Sequence, residues 1–101
     1  MLTDYVKCLG GVMRLLEVYQ DESSTPRDRL LARRTWQHRP IMSVRDYAAA
    51  NGVQFQSAYE KVDDLTMQLN LLREVNPPPI DEIADLLHRI LALTATAREG
   101  V

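Results

Sequence analysis

The chain has 101 residues, of which 46% are apolar and 26% are charged, and its formal net charge is −2. This length suits a single domain, and the charge gives no overall basic signature for nucleic acid. No apolar run approaches the roughly 20 residues that span a membrane. The single cysteine, Cys8, cannot form an internal disulfide. We therefore expect one domain over residues 1–101, with no membrane partner, in a reducing cytoplasm.

Charge is distributed very unevenly along the chain. Residues 26–45 carry six arginines against one aspartate, a net charge of +5. Residues 46–82 carry seven acidic residues against one lysine and one arginine, a net charge of −5. The arginines form either a solvated face with local ion pairs or a surface that contacts phosphates. Four arginines within eight residues, beside a single acid, favour phosphate contact.

Helical spacing of apolar residues predicts a first helix from residue 2 to about residue 20. The stripe is made of Tyr5, Leu9, Val12, Leu16 and Tyr19. Gly10 and Gly11 lie inside it, and each costs about 1 kcal/mol relative to alanine in a helix. They indicate either a close helix crossing or a local kink.

A second helix is predicted from Pro26 to about Gln37. Thr25 can cap its first turn, where proline is well tolerated. Pro40 ends it, because proline disfavours helical geometry in the residue before it. Its apolar contribution is small, whereas it carries four of the arginines described above.

Two short helices are predicted around the sequence Asn51-Gly52-Val53. Ser43 can cap the first of them, and Gly52 offers a left-handed turn position at no steric cost. We expect Val53 to fill the corner between the helices. The second helix is expected to begin near Gln54, with its inner face formed by Ala58, Val62 and Leu65.

These spacings resemble the helix-turn-helix of small bacterial, phage and plasmid transcription regulators. A small residue, Ala48, stands four positions before the turn glycine, and Ala58 stands six positions after it. The string Gly-Val-Gln-Phe-Gln-Ser-Ala-Tyr is similar to the Gly-Val-Ser-x-x-Thr-Val-Tyr of such regulators. The resemblance covers about a quarter of the chain and implies a DNA-binding function.

The rest of the chain predicts further helix. The apolar stripe of the second motif helix favours its continuation to about Glu74; the alternative ends it at Asn70, followed by a short strand. Three prolines, residues 77–79, break the chain, and a final helix begins near Ile80. We therefore predict an all-α fold of about five helices with a central helix-turn-helix and no substantial sheet.

The resemblance also implies which residues would contact double-stranded DNA. In this motif the first residues of the second helix touch base edges in the major groove. The expected base contacts are Gln54, Gln56, Ser57 and Lys61. The expected contacts to the DNA backbone are Arg33, Arg34, Arg39, Arg45 and Tyr59.

An alternative function is a non-enzymatic protein-interaction module on the same scaffold, such as a phage or plasmid inhibitor or anti-activator. Glu60, Asp63 and Asp64 favour it, because carboxylates on a recognition helix repel phosphates. Geometry separates the two hypotheses. Arginines on the same face as Gln54 and Gln56 favour DNA, whereas arginines on another face or paired with acids favour a protein partner.

The final helix carries more apolar surface than one stripe, and together with the stripe Tyr5–Tyr19 this predicts a homodimer held mainly by the N- and C-terminal helices, of which one covers the motif and the other pairs. We expect the dimer interface to include Ile83, Leu87, Ile90 and Leu91.

The sequence offers no pattern of a metal or catalytic site. The two histidines, His38 and His88, have no metal-ligand spacing, and there is no Cys-x-x-Cys or phosphate-binding loop. We therefore expect no catalytic residue, no metal and no cofactor.

Overall fold

The computed structural model describes residues 2–99, with the side-chain surroundings of residues 2–95, and that range is all-helical with no strand. This confirms the all-α prediction. Two short 3-10 turns adjoin the six α-helices. In chain order the elements are α1 Leu2–Tyr5, a 3-10 turn Val6–Leu9, α2 Gly10–Gln20, α3 Pro26–His38, α4 Val44–Ala50, a 3-10 turn Ser57–Tyr59, α5 Glu60–Leu72 and α6 Ile80–Glu99.

The first 20 residues form one helical stretch with an irregular centre. Helix α1, the 3-10 turn Val6–Leu9 and α2 follow each other without a gap, so the described chain has five helical segments. A Cβ added at Gly11 would meet Thr35 at an ordinary contact distance of 3.9 Å, and one at Gly10 would meet nothing within 4 Å. The glycines therefore follow a local irregularity of the helix and are not required by a tight crossing.

Helix α3 begins with the cap that its sequence predicts. The Thr25 hydroxyl accepts from the Asp28 amide, and the Asp28 carboxylate accepts from the Thr25 amide, both at 3.1 Å. Pro26 occupies the first helical position. The helix ends before Arg39, which is extended and precedes Pro40.

The connection between α4 and α5 is longer than predicted. Gly52 has a φ of +67°, as expected for the turn, and the Val53 amide donates to the Ala48 carbonyl at 2.9 Å. Residues 53–56 are then non-helical, so the prediction of a helix beginning near Gln54 is wrong. The predictions that Val53 fills the corner and that Ala58 is buried are also wrong, because both side chains are exposed.

The core lies between the N-terminal helical stretch, α5 and α6. Helix α6 packs against α1, α2 and α5. From α5, Val62, Leu65 and Leu69 are buried, which confirms the predicted burial of Leu65. Helix α5 continues to Leu72 with no strand after it among the described residues, as favoured above.

The face of α6 that was predicted to form a dimer belongs to this core. Ile83 and Ile90 are 0% exposed and Leu87 is 4% exposed within the single chain. Leu91 is half-buried and packs against the same cluster. The assignment of Ile83, Leu87 and Ile90 to a dimer interface is therefore wrong, because these side chains have no surface left for a second subunit.

Candidate interaction surface on α3

Helix α3 is attached to the rest of the molecule along a narrow side. Only Ala32 and Trp36 are buried, and α3 packs mainly against α2. Its opposite side is open to solvent over the whole helix. We call this side the arginine face, and it consists of the exposed residues Arg27, Leu30, Leu31, Arg34 and His38.

The charges of α3 have no ionic partner within the described chain. The ion pairs there are Lys7–Asp4, Arg14–Glu17 and Arg89–Asp85, all exposed and none involving α3. Among the α3 arginines, Arg29 lies over the Tyr19 ring, 5.8 Å from its centroid. The single acid of the block, Asp28, is used in the helix cap. Helix α3 therefore presents a solvated face whose cations form no local ion pair among the described residues.

Polar side chains of α5 and of Arg73, the residue that follows it, hold the segment that joins α3 to α4. Arg73 donates to the carbonyls of Trp36 at 3.3 Å and Gln37 at 2.9 Å, at the end of α3. Asn70 accepts from the Ile41 amide at 2.8 Å and donates to the Ile41 carbonyl at 2.7 Å. These contacts fix the end of α3 relative to α5.

One acid of α5 caps α4. The Asp63 carboxylate accepts from the amides of Val44 at 2.8 Å and Arg45 at 3.4 Å, at the helix N-terminus where negative charge is favourable. Asp63 therefore does not count against DNA binding, whereas Glu60 and Asp64 remain exposed. Sequence analysis missed this role, although Asp63, Asn70 and Arg73 share one side of a helix by their spacing.

The residues expected to contact bases do not lie on a helix face together. Gln54 and Gln56 are exposed in the non-helical segment, Ser57 begins the 3-10 turn, and Lys61 is exposed in the first turn of α5. They are accessible, yet only Lys61 belongs to an α-helix. The predicted recognition helix is thus divided between a loop, a 3-10 turn and the start of α5.

The residues expected to contact the DNA backbone are spread over three elements. Arg33 and Arg34 lie on α3, and Arg39 follows its end. Arg45, on α4, stacks on Phe55 with 4.0 Å between its guanidinium carbon and the ring centroid. Tyr59 meets the same ring edge-on at 6.0 Å between centroids.

The expected base contacts and the arginines of α3 are carried by different elements. Helix α3 rests on α2, whereas α4 packs against α5. Of the expected backbone contacts, only Arg45 and Tyr59 touch the segment between α4 and α5. Arg45 and Tyr59 thus lie beside the expected base contacts, whereas Arg33 and Arg34 lie on a separate helix.

A cleft of about 400 Å³ lies between the N-terminal helical stretch and the end of α3. Lys7, Cys8, Trp36 and Arg39 contribute to its lining. The buried Trp36 indole N–H has no acceptor among the described residues. Burial raises the pKa of the Cys8 thiol, which favours its unreactive protonated form. No cluster of metal-ligating side chains occurs within the described residues.

Comparison with known proteins assigns no family. No family model, no curated protein and no solved structure matches this chain. Within residues 2–99 there is also no helix of the length and apolarity needed to cross a membrane. The function is therefore inferred from the packing and charge of α3 and α5.

Proposed function

We propose that this chain is a non-enzymatic binding protein whose arginine face docks an acidic, amphipathic helix of a partner protein. The observation that carries this proposal is the mixture of unpaired cations and exposed apolar side chains on one side of α3. Leu30 is 37% exposed and Leu31 is 51% exposed, and both lie among arginines without ionic partners. A phosphate backbone offers no apolar surface for leucines, whereas an amphipathic helix does.

The residue types of the block support a protein partner. Residues 26–45 contain six arginines and no lysine. Arginine is enriched at protein interfaces and lysine is depleted there, since the planar guanidinium is weakly hydrated and binds carboxylates through two hydrogen bonds. Apolar contact through Leu31 would supply affinity, and the arginines would select an acidic partner and fix its position.

Fluorescence anisotropy with a labelled probe tests this proposal. The probe is a synthetic amphipathic helical peptide with acidic and leucine side chains on one face, and a labelled DNA duplex is titrated in parallel. We expect the peptide to bind, and Arg34→Glu and Leu31→Ala each to weaken binding by about tenfold, equivalent to 1.4 kcal/mol. The matched control is Arg89→Glu on α6, which makes the same charge change in an exposed pair.

The outcomes separate protein from nucleic acid. Peptide binding that Arg34→Glu weakens and Arg89→Glu does not is the expected result. A peptide that fails to bind, with a duplex that binds through Arg34, would overturn the proposal. Equal effects of Leu31→Ala and Arg89→Glu would show that the apolar centre of the arginine face makes no contact.

A second candidate function is the DNA-binding regulator that the sequence resembles. It is favoured by the exposure of Gln54, Gln56 and Ser57 beside Arg45, together with the withdrawal of Asp63 into the α4 cap. The test is an electrophoretic mobility shift with DNA flanking the native gene, at two salt concentrations. Loss of sequence preference in Gln54→Ala and Gln56→Ala would support base contact, and equal losses on specific and random DNA would argue against it.

A further inference from the structure

Five of the seven large apolar side chains that are exposed among the described residues lie on α3, on α5 or just beyond the end of α5. The exposed large apolar side chains are Leu30, Leu31, Met42, Val53, Met67, Leu71 and Val75. Two of them lie on the arginine face of α3, and three lie on α5 or just beyond its end. The most exposed is Leu71, at 75%. Exposed apolar patches on a small domain mark contact sites.

The exposed side of α5 has a net charge opposite to that of α3, because it carries Glu60 and Asp64 against one exposed cation, Lys61. Glu60, Asp64, Met67 and Leu71 follow each other at steps of four, three and four residues, so they share one face of the helix. We call this side the acidic face. Neither Glu60 nor Asp64 has a hydrogen-bond or ionic partner among the described residues.

The arginine face of α3 repeats the same spacing with basic residues. Arg27, Leu31, Arg34 and His38 also follow at steps of four, three and four residues. Each stripe extends about 16 Å along its helix, at about 1.5 Å per residue. The two faces are therefore matched in length, in apolar content and in opposite charge.

We propose that the acidic helix docked by the arginine face is α5 of a second copy of this chain. The inference rests on the proposed function, because it names the partner of that same surface. In an antiparallel register Arg34 lies opposite Asp64, His38 opposite Glu60, and Leu31 opposite Met67. Leu71 then lies beside the aliphatic stem of Arg27, which can cover apolar surface while its charge stays in water.

Symmetry increases the effect of this pairing. In a twofold dimer the α3–α5 contact forms twice, because each chain contributes one arginine face and one acidic face. The contact differs from the dimer expected from the sequence, since it leaves the buried side of α6 undisturbed. It also accounts for the segregation of +5 and −5 charges into neighbouring segments of one chain.

A charge exchange measured by sedimentation equilibrium tests the pairing. The full chain should be oligomeric, and Arg34→Glu and Asp64→Arg should each weaken self-association by more than about tenfold, because each places like charges opposite each other. The double variant carrying both changes should recover self-association, since its faces are again complementary. An equimolar mixture of the two single variants should recover it as well.

Matched controls come from α6. Arg89→Glu and Asp85→Arg make the same charge changes in an exposed pair on a helix that belongs to neither face, and they should leave association unchanged. Circular dichroism should show the same helix content for every variant, because all four positions are exposed. Leu71→Ser should weaken association without any change of net charge.

The outcomes distinguish this inference from the function on which it rests. A monomeric wild type that still binds the acidic peptide through Arg34 would overturn only the second-copy pairing. A wild type that neither self-associates nor binds the peptide would overturn both. Self-association that the double variant fails to recover would show that the two faces do not meet.

Discussion

At the scale of single residues, the adjacent acids Asp63 and Asp64 have different surroundings. Asp63 accepts two backbone hydrogen bonds at the start of α4, whereas Asp64 is exposed and has no partner within the described chain. Asp63→Ala should therefore lower the free energy of unfolding by about 1–2 kcal/mol, the usual cost of losing a helix cap. At concentrations where the chain is monomeric, Asp64→Ala should change it by less than about 0.5 kcal/mol. Urea unfolding of both variants measures the difference, and equal losses would contradict the cap.

Tyr5 gives a prediction about pH. Its side chain is 0% exposed and its hydroxyl donates to the Met42 carbonyl, and burial raises its pKa from 10.0 to about 12. The folded state thus holds the phenol neutral, so its contribution is complete below pH 10 and is lost as pH rises towards about 12. Tyr5→Phe should cost about 1 kcal/mol at neutral pH.

The pH dependence of the wild type and of Tyr5→Phe should therefore differ. The stability advantage of the wild type should shrink between pH 10 and about 12, as the phenol ionises more easily in the unfolded chain. Denaturant unfolding across that range is the measurement. Tyr19→Phe is the control, because Tyr19 is half-buried and donates no hydrogen bond within the described residues. A constant difference between wild type and Tyr5→Phe would refute the assignment.

At the scale of elements, Gly52 is required by the backbone conformation of its turn, whereas Gly10 in the N-terminal helical stretch is not required by its surroundings. A Cβ at Gly10 meets nothing within 4 Å, whereas Gly52 has a φ of +67°. Gly10→Ala should raise stability by about 0.5–1 kcal/mol, because alanine loses less backbone entropy in a helix. Gly52→Ala should lower it by about 1 kcal/mol through left-handed strain. Thermal melts check both signs, and destabilisation by Gly10→Ala would indicate an unrecognised crossing.

The connection between α4 and α5 shows which helix boundaries neighbouring residues determine and which they do not. Ser43 caps α4 through a 3.0 Å bond from the Asp46 amide, as its sequence indicates. The chain becomes helical only at the 3-10 turn Ser57–Tyr59, and α5 begins at Glu60 instead of near Gln54. Arg45 stacks on Phe55 in the non-helical segment before that turn. That stacking joins residues ten positions apart, so neither helix propensity nor a cap signal contains it.

At the scale of the whole molecule, α6 turns its apolar side chains into the core, whereas α5 also exposes a large apolar side chain to solvent. Ile90 is 0% exposed in the core, whereas Leu71 is 75% exposed. Ile90→Glu should unfold the chain or cost more than about 3 kcal/mol, because it buries an unpaired charge. Leu71→Glu should leave the monomer folded. Circular dichroism in urea distinguishes them, and a folded Ile90→Glu monomer would restore α6 as an interface helix.

The sequence by itself determined the helical content, most helix boundaries and the segregation of charge. These features are local, because a stripe of period 3.6, a capping threonine or a proline acts within a few residues. The predicted first and last residues of the N-terminal helical stretch and of α3, and the predicted last residue of α5, agree with the structure to within two residues. The all-α class follows from the same signals.

Only the tertiary structure decided which apolar face is covered and which polar residues hold other helices. The stripe Ile83–Ile90 has the same spacing whether it faces the core or a second chain, because hydrophobic burial has no direction of its own. Packing against α5 and the N-terminal stretch places it inside, and leaves the acidic face of α5 and the arginine face of α3 exposed. The contacts of Asp63, Asn70 and Arg73 likewise join segments 18 to 37 residues apart, which no local pattern encodes.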